Sequence, residues 1–116
     1  MAGYFIEESF LYERAMKKYL LVLSDDDITE SKKLRMIRES HDLFEELLSI
    51  NSKPLYIMRL AESKIVYAAF SDGEKNRQRE LCQEARDLFS PFREIDKAFY
   101  YRYEFLAQQP ETNWFD

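Results

Sequence analysis

The chain has 116 residues, 46% hydrophobic and 34% charged, with a net charge of −5 and an isoelectric point near 5.0. This length suits one domain that buries about two-thirds of its extended-chain surface, and the acidic balance argues against a general nucleic-acid binder, which needs a basic face. Two glycines and three prolines leave few tight turns and favour long helices over many strands. A single cysteine, Cys82, excludes an internal disulfide and suits a reducing compartment. No apolar run reaches the ~18 residues of a membrane span. The start Met1-Ala2-Gly3-Tyr4 lacks both a basic signal region and a glycine next to Met1, so the expected location is the cytoplasm.

In chain order, Phe5, Ile6, Phe10, Leu11, Ala15, Tyr19, Leu20 and Leu23 recur at three- and four-residue spacings and predict an amphipathic helix from Phe5 to Leu23. The run Asp25-Asp26-Asp27 ends it. Asp27-Ile28-Thr29-Glu30 then reads as a capping box, with Asp27 as N-cap of a second helix. Leu34, Ile37, Leu43, Phe44, Leu47 and Leu48 form its core face, and it ends near Ile50. After Asn51-Ser52-Lys53, Pro54 opens a third helix, because its missing N–H costs nothing in a first turn. That helix runs to about Phe70 with Met58, Ala61, Ile65, Ala68 and Ala69 on one side. Ser71-Asp72-Gly73-Glu74 breaks the chain and caps a fourth helix, whose core positions are Leu81, Cys82, Ala85, Leu88 and Phe89. Proline inside a helix costs about 3 kcal/mol, so Pro91, with Ser90 as N-cap, marks a fifth helix, 91–108. Pro110 ends it and leaves a short tail, 111–116. The expected fold class is all-α: a single domain, 1–110, of two stacked αα-hairpins and a C-terminal helix.

The segment Glu39-Ser40-His41-Asp42-Leu43-Phe44 recurs as Glu84-Ala85-Arg86-Asp87-Leu88-Phe89. Sliding 11–51 over 56–96 gives seven identities in 41 pairs: Arg14/Arg59, Asp27/Asp72, Glu39/Glu84, Asp42/Asp87, Leu43/Leu88, Phe44/Phe89 and Ile50/Ile95. Such a period suggests two supersecondary units, about 5–51 and 54–96, that stack on each other. In each, a small residue precedes an aromatic by four: Ser40 then Phe44, Ala85 then Phe89. This spacing, with Pro54 following, resembles the tetratricopeptide repeat. The period is 45 residues rather than the family's 34, and the family's first-helix Trp, Leu-Gly and Tyr positions are not met. Two hairpins that share core positions as ordinary bundles do are the competing explanation.

The resemblance implies a protein-binding module with its first helices on a concave face. Arg14 and Arg59, beside Lys17, Lys18 and Lys64, would there receive carboxylates of another protein or an acidic peptide through bidentate hydrogen bonds; a solvated face is the simpler alternative. The basic group Lys32, Lys33, Arg35 and Arg38 is interrupted by Glu30, Glu39 and Asp42.

Catalytic chemistry has few footholds. His41 is the single histidine. Arg35, five residues and then His41 match the Arg-x(4–6)-His motif of HEPN ribonucleases, in which the histidine handles protons and the guanidinium stabilises developing charge. Met36 stands where that motif has a polar residue. Cys82 has the pattern of a core thiol, and Glu7/Glu8 and Glu45/Glu46 that of solvated helix faces. No Glu-x-x-His pair or glycine-rich phosphate loop is present, so neither a cofactor nor a metal is expected.

Aromatics crowd the C-terminus: Phe99, Tyr100, Tyr101, Tyr103, Phe105, Trp114 and Phe115. Consecutive helix residues point about 100° apart, so one face cannot bury them all. Tyrosine and tryptophan are enriched at binding hot spots, so Tyr100, Tyr101, Tyr103 and Trp114 are partner-binding candidates, including for a homodimer; sealing the open end of the stack is the alternative. The expected function is a non-catalytic interaction module, adaptor or scaffold. A small inhibitor, such as an immunity or anti-defence protein covering a basic enzyme surface, is the alternative, and a HEPN-like ribonuclease the third reading.

Overall fold

The computed structural model describes residues 2–71, 73–94, 97, 100, 101, 104 and 105, with side chains from Glu7 onward. Four helices follow one another: α1 (Ala2–Ser24), α2 (Glu30–Ile50), α3 (Pro54–Ala69) and α4 (Lys75–Phe89), then a 3-10 turn, Ser90–Phe92. No strand occurs among the described residues. α1 packs on α2 and α3 on α4 as two hairpins, and α2 against α3 joins them. The fold is thus all-α, with packing that follows chain order. None of these helices is long and apolar enough to cross a membrane.

Each helix end has a local cause. α2 starts two residues later than the capping-box pattern places it. Asp25 Oδ1 accepts the N–H of Asp27 at 3.0 Å, which spends Asp27 on a turn. Thr29 is therefore the N-cap, its Oγ1 accepting the N–H of Lys32 at 3.3 Å. Pro54 stands in the first turn of α3 as expected. Glu74 precedes α4 without a side-chain cap. Ser90 is not an N-cap: its backbone is helical, its N–H bonds Arg86 O, and it closes α4 as Pro91 forces the tighter turn. The expected fifth helix does not begin at Pro91, since 90–92 form the 3-10 turn and 93–94 a further turn; Lys97, Tyr100, Tyr101, Glu104 and Phe105 are helical, and its other residues and the tail lie outside the described residues.

The first hairpin buries Leu11, Ala15, Tyr19 and Val22 of α1 against Ile37, Phe44 and Leu47 of α2, with Tyr56 and Leu60 of α3 closing the cluster. Ser40 is fully buried, and its Oγ donates to the carbonyl of Ala15 at 2.8 Å; only a small side chain allows α2 so near the α1 backbone. In the second hairpin Ala61, Ile65, Ala85 and Phe89 pack together, beside a smaller group of Ala68, Leu81 and Cys82.

Two expectations about burial need correction. Phe10, Leu20 and Leu23 are more than half exposed, and Val22 takes the core place instead. α1 ends the stack, so only the line through Leu11, Ala15, Tyr19 and Val22 meets a neighbour. α3, by contrast, lies between α2 and α4 and is buried on two faces, which adds Tyr56, Leu60, Ser63 and Lys64 to its expected core.

Candidate functional site

Polar side chains gather where α2, α3 and α4 meet. His41, one turn before Glu45 on α2, is 3% exposed, and Lys64 on α3 is 6% exposed. The Lys64 ammonium lies 2.9 Å from His41 Nε2, 3.3 Å from Glu84 Oε2 of α4 and 3.7 Å from Glu45 Oε1. His41 Nδ1 is 2.9 Å from Asp42 Oδ1, and Nε2 is 2.9 Å from Glu45 Oε1. Nδ1 thus faces the Asp42 carboxylate, while Nε2 faces both the Lys64 ammonium and the Glu45 carboxylate at the same distance. Burial holds the His41 pKa below its ordinary value, and the Lys64 charge adds to that, against the pull of Asp42 and Glu45. Tyr67 meets the imidazole edge-on at 5.5 Å, and Arg77 of α4 stacks over the tyrosine at 5.5 Å.

His41, Asp42 and Glu45 form the one group with metal-ligand spacing among the described residues. The Lys64 ammonium already supplies the cation between Nε2 and Glu45, so the cluster works as a joint between helices. Arg35 lies on a different face of α2, largely exposed and 4.0 Å from Glu39, while His41 points into the joint.

A second polar knot ties α1 to the start of α3. The Tyr56 hydroxyl donates to Glu8 Oε1 at 2.6 Å, with Lys53 Nζ at 3.3 Å and Asn51 Nδ2 at 3.5 Å. The Tyr56 hydrogen bond outweighs desolvation and holds the Glu8 carboxyl below the usual range. Burial, then Glu8, pushes the Tyr56 phenol up to about 12.

The residues expected to bind partners are placed unevenly. Arg14 is exposed, and its guanidinium stacks 5.7 Å over the Phe10 ring. Lys18, one turn on, donates to Glu39 Oε2 of α2 at 2.7 Å. Lys18, Arg35 and Arg14 together hold the Glu39 carboxyl below its ordinary range, the Lys18 hydrogen bond most strongly. Three cations thus surround one carboxylate along the α1–α2 seam. Arg59 does not join them. Its Nη1 donates to both Glu62 oxygens at 3.1 and 3.2 Å, Tyr19 donates to the same carboxylate at 3.2 Å, and Arg59 Nε is buried without an acceptor.

Tyr100 is half-buried, edge-on to Phe89 at 5.8 Å and under the Arg93 guanidinium at 5.6 Å, whereas Tyr101 and Phe105 are more than half exposed. Tyr103 and Trp114 lie outside the described residues. Cys82 is fully buried.

Sequence reasoning missed Lys64 as a buried group, although Tyr56, Leu60 and Lys64 form a four-residue stripe that marks a second face of α3. It also assigned Arg35 to a nuclease motif, although its spacing from Glu39 is that of a helical ion pair. No protein-family model matches the chain, and neither a curated protein nor a solved structure matches it.

Proposed function

We propose that this protein is a non-catalytic interaction module in which two helical hairpins stack in the manner of tetratricopeptide-like repeats and another protein covers an end of the stack. One observation carries this reading. Of the six exposed large hydrophobic residues among the described ones, Phe10, Leu20 and Leu23 lie on α1 and Tyr101 and Phe105 follow α4; only Leu55 belongs to the described elements between. In a stack, each helix pair covers its neighbour, and terminal elements need polar outer faces to remain free in water. Apolar side chains on both terminal elements therefore point to partners there. Packing in chain order and the matched places of Ser40 and Ala85 support the repeat-like arrangement, and the buried thiol of Cys82 suits the cytoplasm.

Affinity capture of the full chain from its host's extract tests the reading. A stoichiometric protein complex is expected, lost on Phe10→Ser with Leu20→Ser or on Tyr101→Ser with Phe105→Ser, and kept by Leu55→Ser. A complex indifferent to both pairs, or none at all, overturns it. If the captured protein is an enzyme whose activity falls on binding, the module acts as an inhibitor.

A further inference from the structure

We infer that the α1–α2 seam is a docking site for an extended acidic segment of a partner protein, with one apolar and two acidic side chains at alternate positions. The inference rests on the interaction-module reading and names the chemistry that one end of the stack recognises.

Phe10, Arg14 and Lys18 follow one another at four-residue intervals, which on a helix places them about 6 Å apart along the axis. In an extended chain, alternate side chains on one face are about 6.6 Å apart. A strand laid along α1 therefore sets three successive same-face side chains opposite Phe10, Arg14 and Lys18 in that order. Phe10 is 57% exposed and offers an apolar contact at one end. Arg14 has no carboxylate within ion-pair distance among the described residues, and its guanidinium lies over the Phe10 ring. Its guanidinium is free to take a carboxylate by two parallel hydrogen bonds. Lys18 gives one donor to Glu39 and retains two. Arg35 stands across the seam, 62% exposed and held only loosely by Glu39 at 4.0 Å.

Lys18, Arg35 and Arg14 all act on the one Glu39 carboxylate, so cations outnumber it at the seam of a chain whose net charge is −5. Such a cluster of cations on an acidic chain favours the landing of an acidic segment there. The same overall charge disfavours a polyphosphate chain, which needs a long basic track. Because Phe10 sits beside the cations, the favoured occupant has an apolar residue as well as acids.

Fluorescence anisotropy with a labelled peptide, Phe-Ser-Glu-Ser-Glu-Ser, tests the inference on the full chain. Saturable, salt-sensitive binding is expected. Arg14→Gln should weaken it about tenfold or more, as loss of a charged hydrogen-bonding partner does. Arg35→Gln should also weaken it, and Arg79→Gln on α4 should leave it unchanged. Moving the acids to Phe-Glu-Glu-Ser-Ser-Ser should weaken binding as well. Absence of saturable binding, indifference to Arg14→Gln, equal binding of the shifted peptide, or tighter binding of a single-stranded oligonucleotide each overturns the inference. The two readings fail separately. A native complex lost with the Phe10→Ser, Leu20→Ser pair, alongside no peptide binding, removes the acidic segment and keeps the module. Peptide binding with a native complex that ignores both apolar pairs removes the module reading and, with it, the role assigned to the seam.

Discussion

Replacing His41 by glutamine should flatten the pH dependence of stability between pH 8 and 5. In the joint the ring is buried, which disfavours its charged form, and the Lys64 ammonium 2.9 Å from Nε2 repels a protonated ring as well. Asp42 and Glu45 lie equally close to the ring. The Asp42 hydrogen bond is the stronger of their two upward pulls, and because both carboxylates are more than half exposed, water screens their charges. Burial, with the Lys64 charge in support, wins, and the folded-state pKa falls below its ordinary value of 6.5. Glu84 on α4 holds the ammonium from the far side, which keeps the repulsive charge in place.

The unfolded chain takes up a proton near pH 6.5 while the folded chain resists it, so stability is complete above 6.5 and declines as pH falls toward the lowered folded pKa. The slope is at most about 1.4 kcal/mol per pH unit, which amounts to at most about 2 kcal/mol between pH 8 and 5. Urea denaturation of the wild type and of His41→Gln at pH 8, 7, 6 and 5 reads this directly. The advantage of the wild type should shrink steadily with falling pH, while the carboxylate contributions of Glu8 and Glu39 cancel between the two proteins. A difference independent of pH, or an NMR titration of this single histidine at or above 6.5, would refute the reasoning.

Two further outcomes follow from buried contacts. Ser40→Ala should cost about 1 kcal/mol for the hydrogen bond to Ala15 O, whereas Ser40→Leu should cost about 1–3 kcal/mol or more by forcing α1 off α2; chemical denaturation that ranks the two equally would mean the helices do not approach closely there. In a spectrophotometric titration, one tyrosine should ionise only at about 12 and vanish from the difference spectrum of Tyr56→Phe. Since the folded phenol holds its proton longer than the unfolded one, its contribution to stability persists below pH 10 and is lost as pH rises toward 12; a Tyr56→Phe protein with the same alkaline midpoint as the wild type would contradict this.

The four helices and most of their limits were legible because periodicity, Pro54 and Pro91 act locally, within a turn or two of the chain. So was the small-then-aromatic spacing of Ser40/Phe44 and Ala85/Phe89, since hairpin packing demands it wherever the chain turns back. Competition between neighbouring groups was harder to read: Asp25 diverts Asp27 and passes the α2 cap to Thr29.

What a neighbouring helix covers cannot be read from periodicity. Phe10, Leu20 and Leu23 fit the same apolar pattern as Leu11 and Tyr19, yet only the latter face α2 and α3. Lys64 carries a charge expected at a surface, but α3 lies between two helices and Glu84 and Glu45 reach it there. Arg14 and Arg59 are identical in the repeat, and tertiary structure separates them: Glu62 holds Arg59, while Arg14 faces outward beside Lys18 and Arg35. Sequence by itself determined the helices and their hairpins, because these follow from short-range periodicity and breakers. Only tertiary structure decided which apolar faces stay uncovered and which charges are already paired, because both depend on partners distant in the chain.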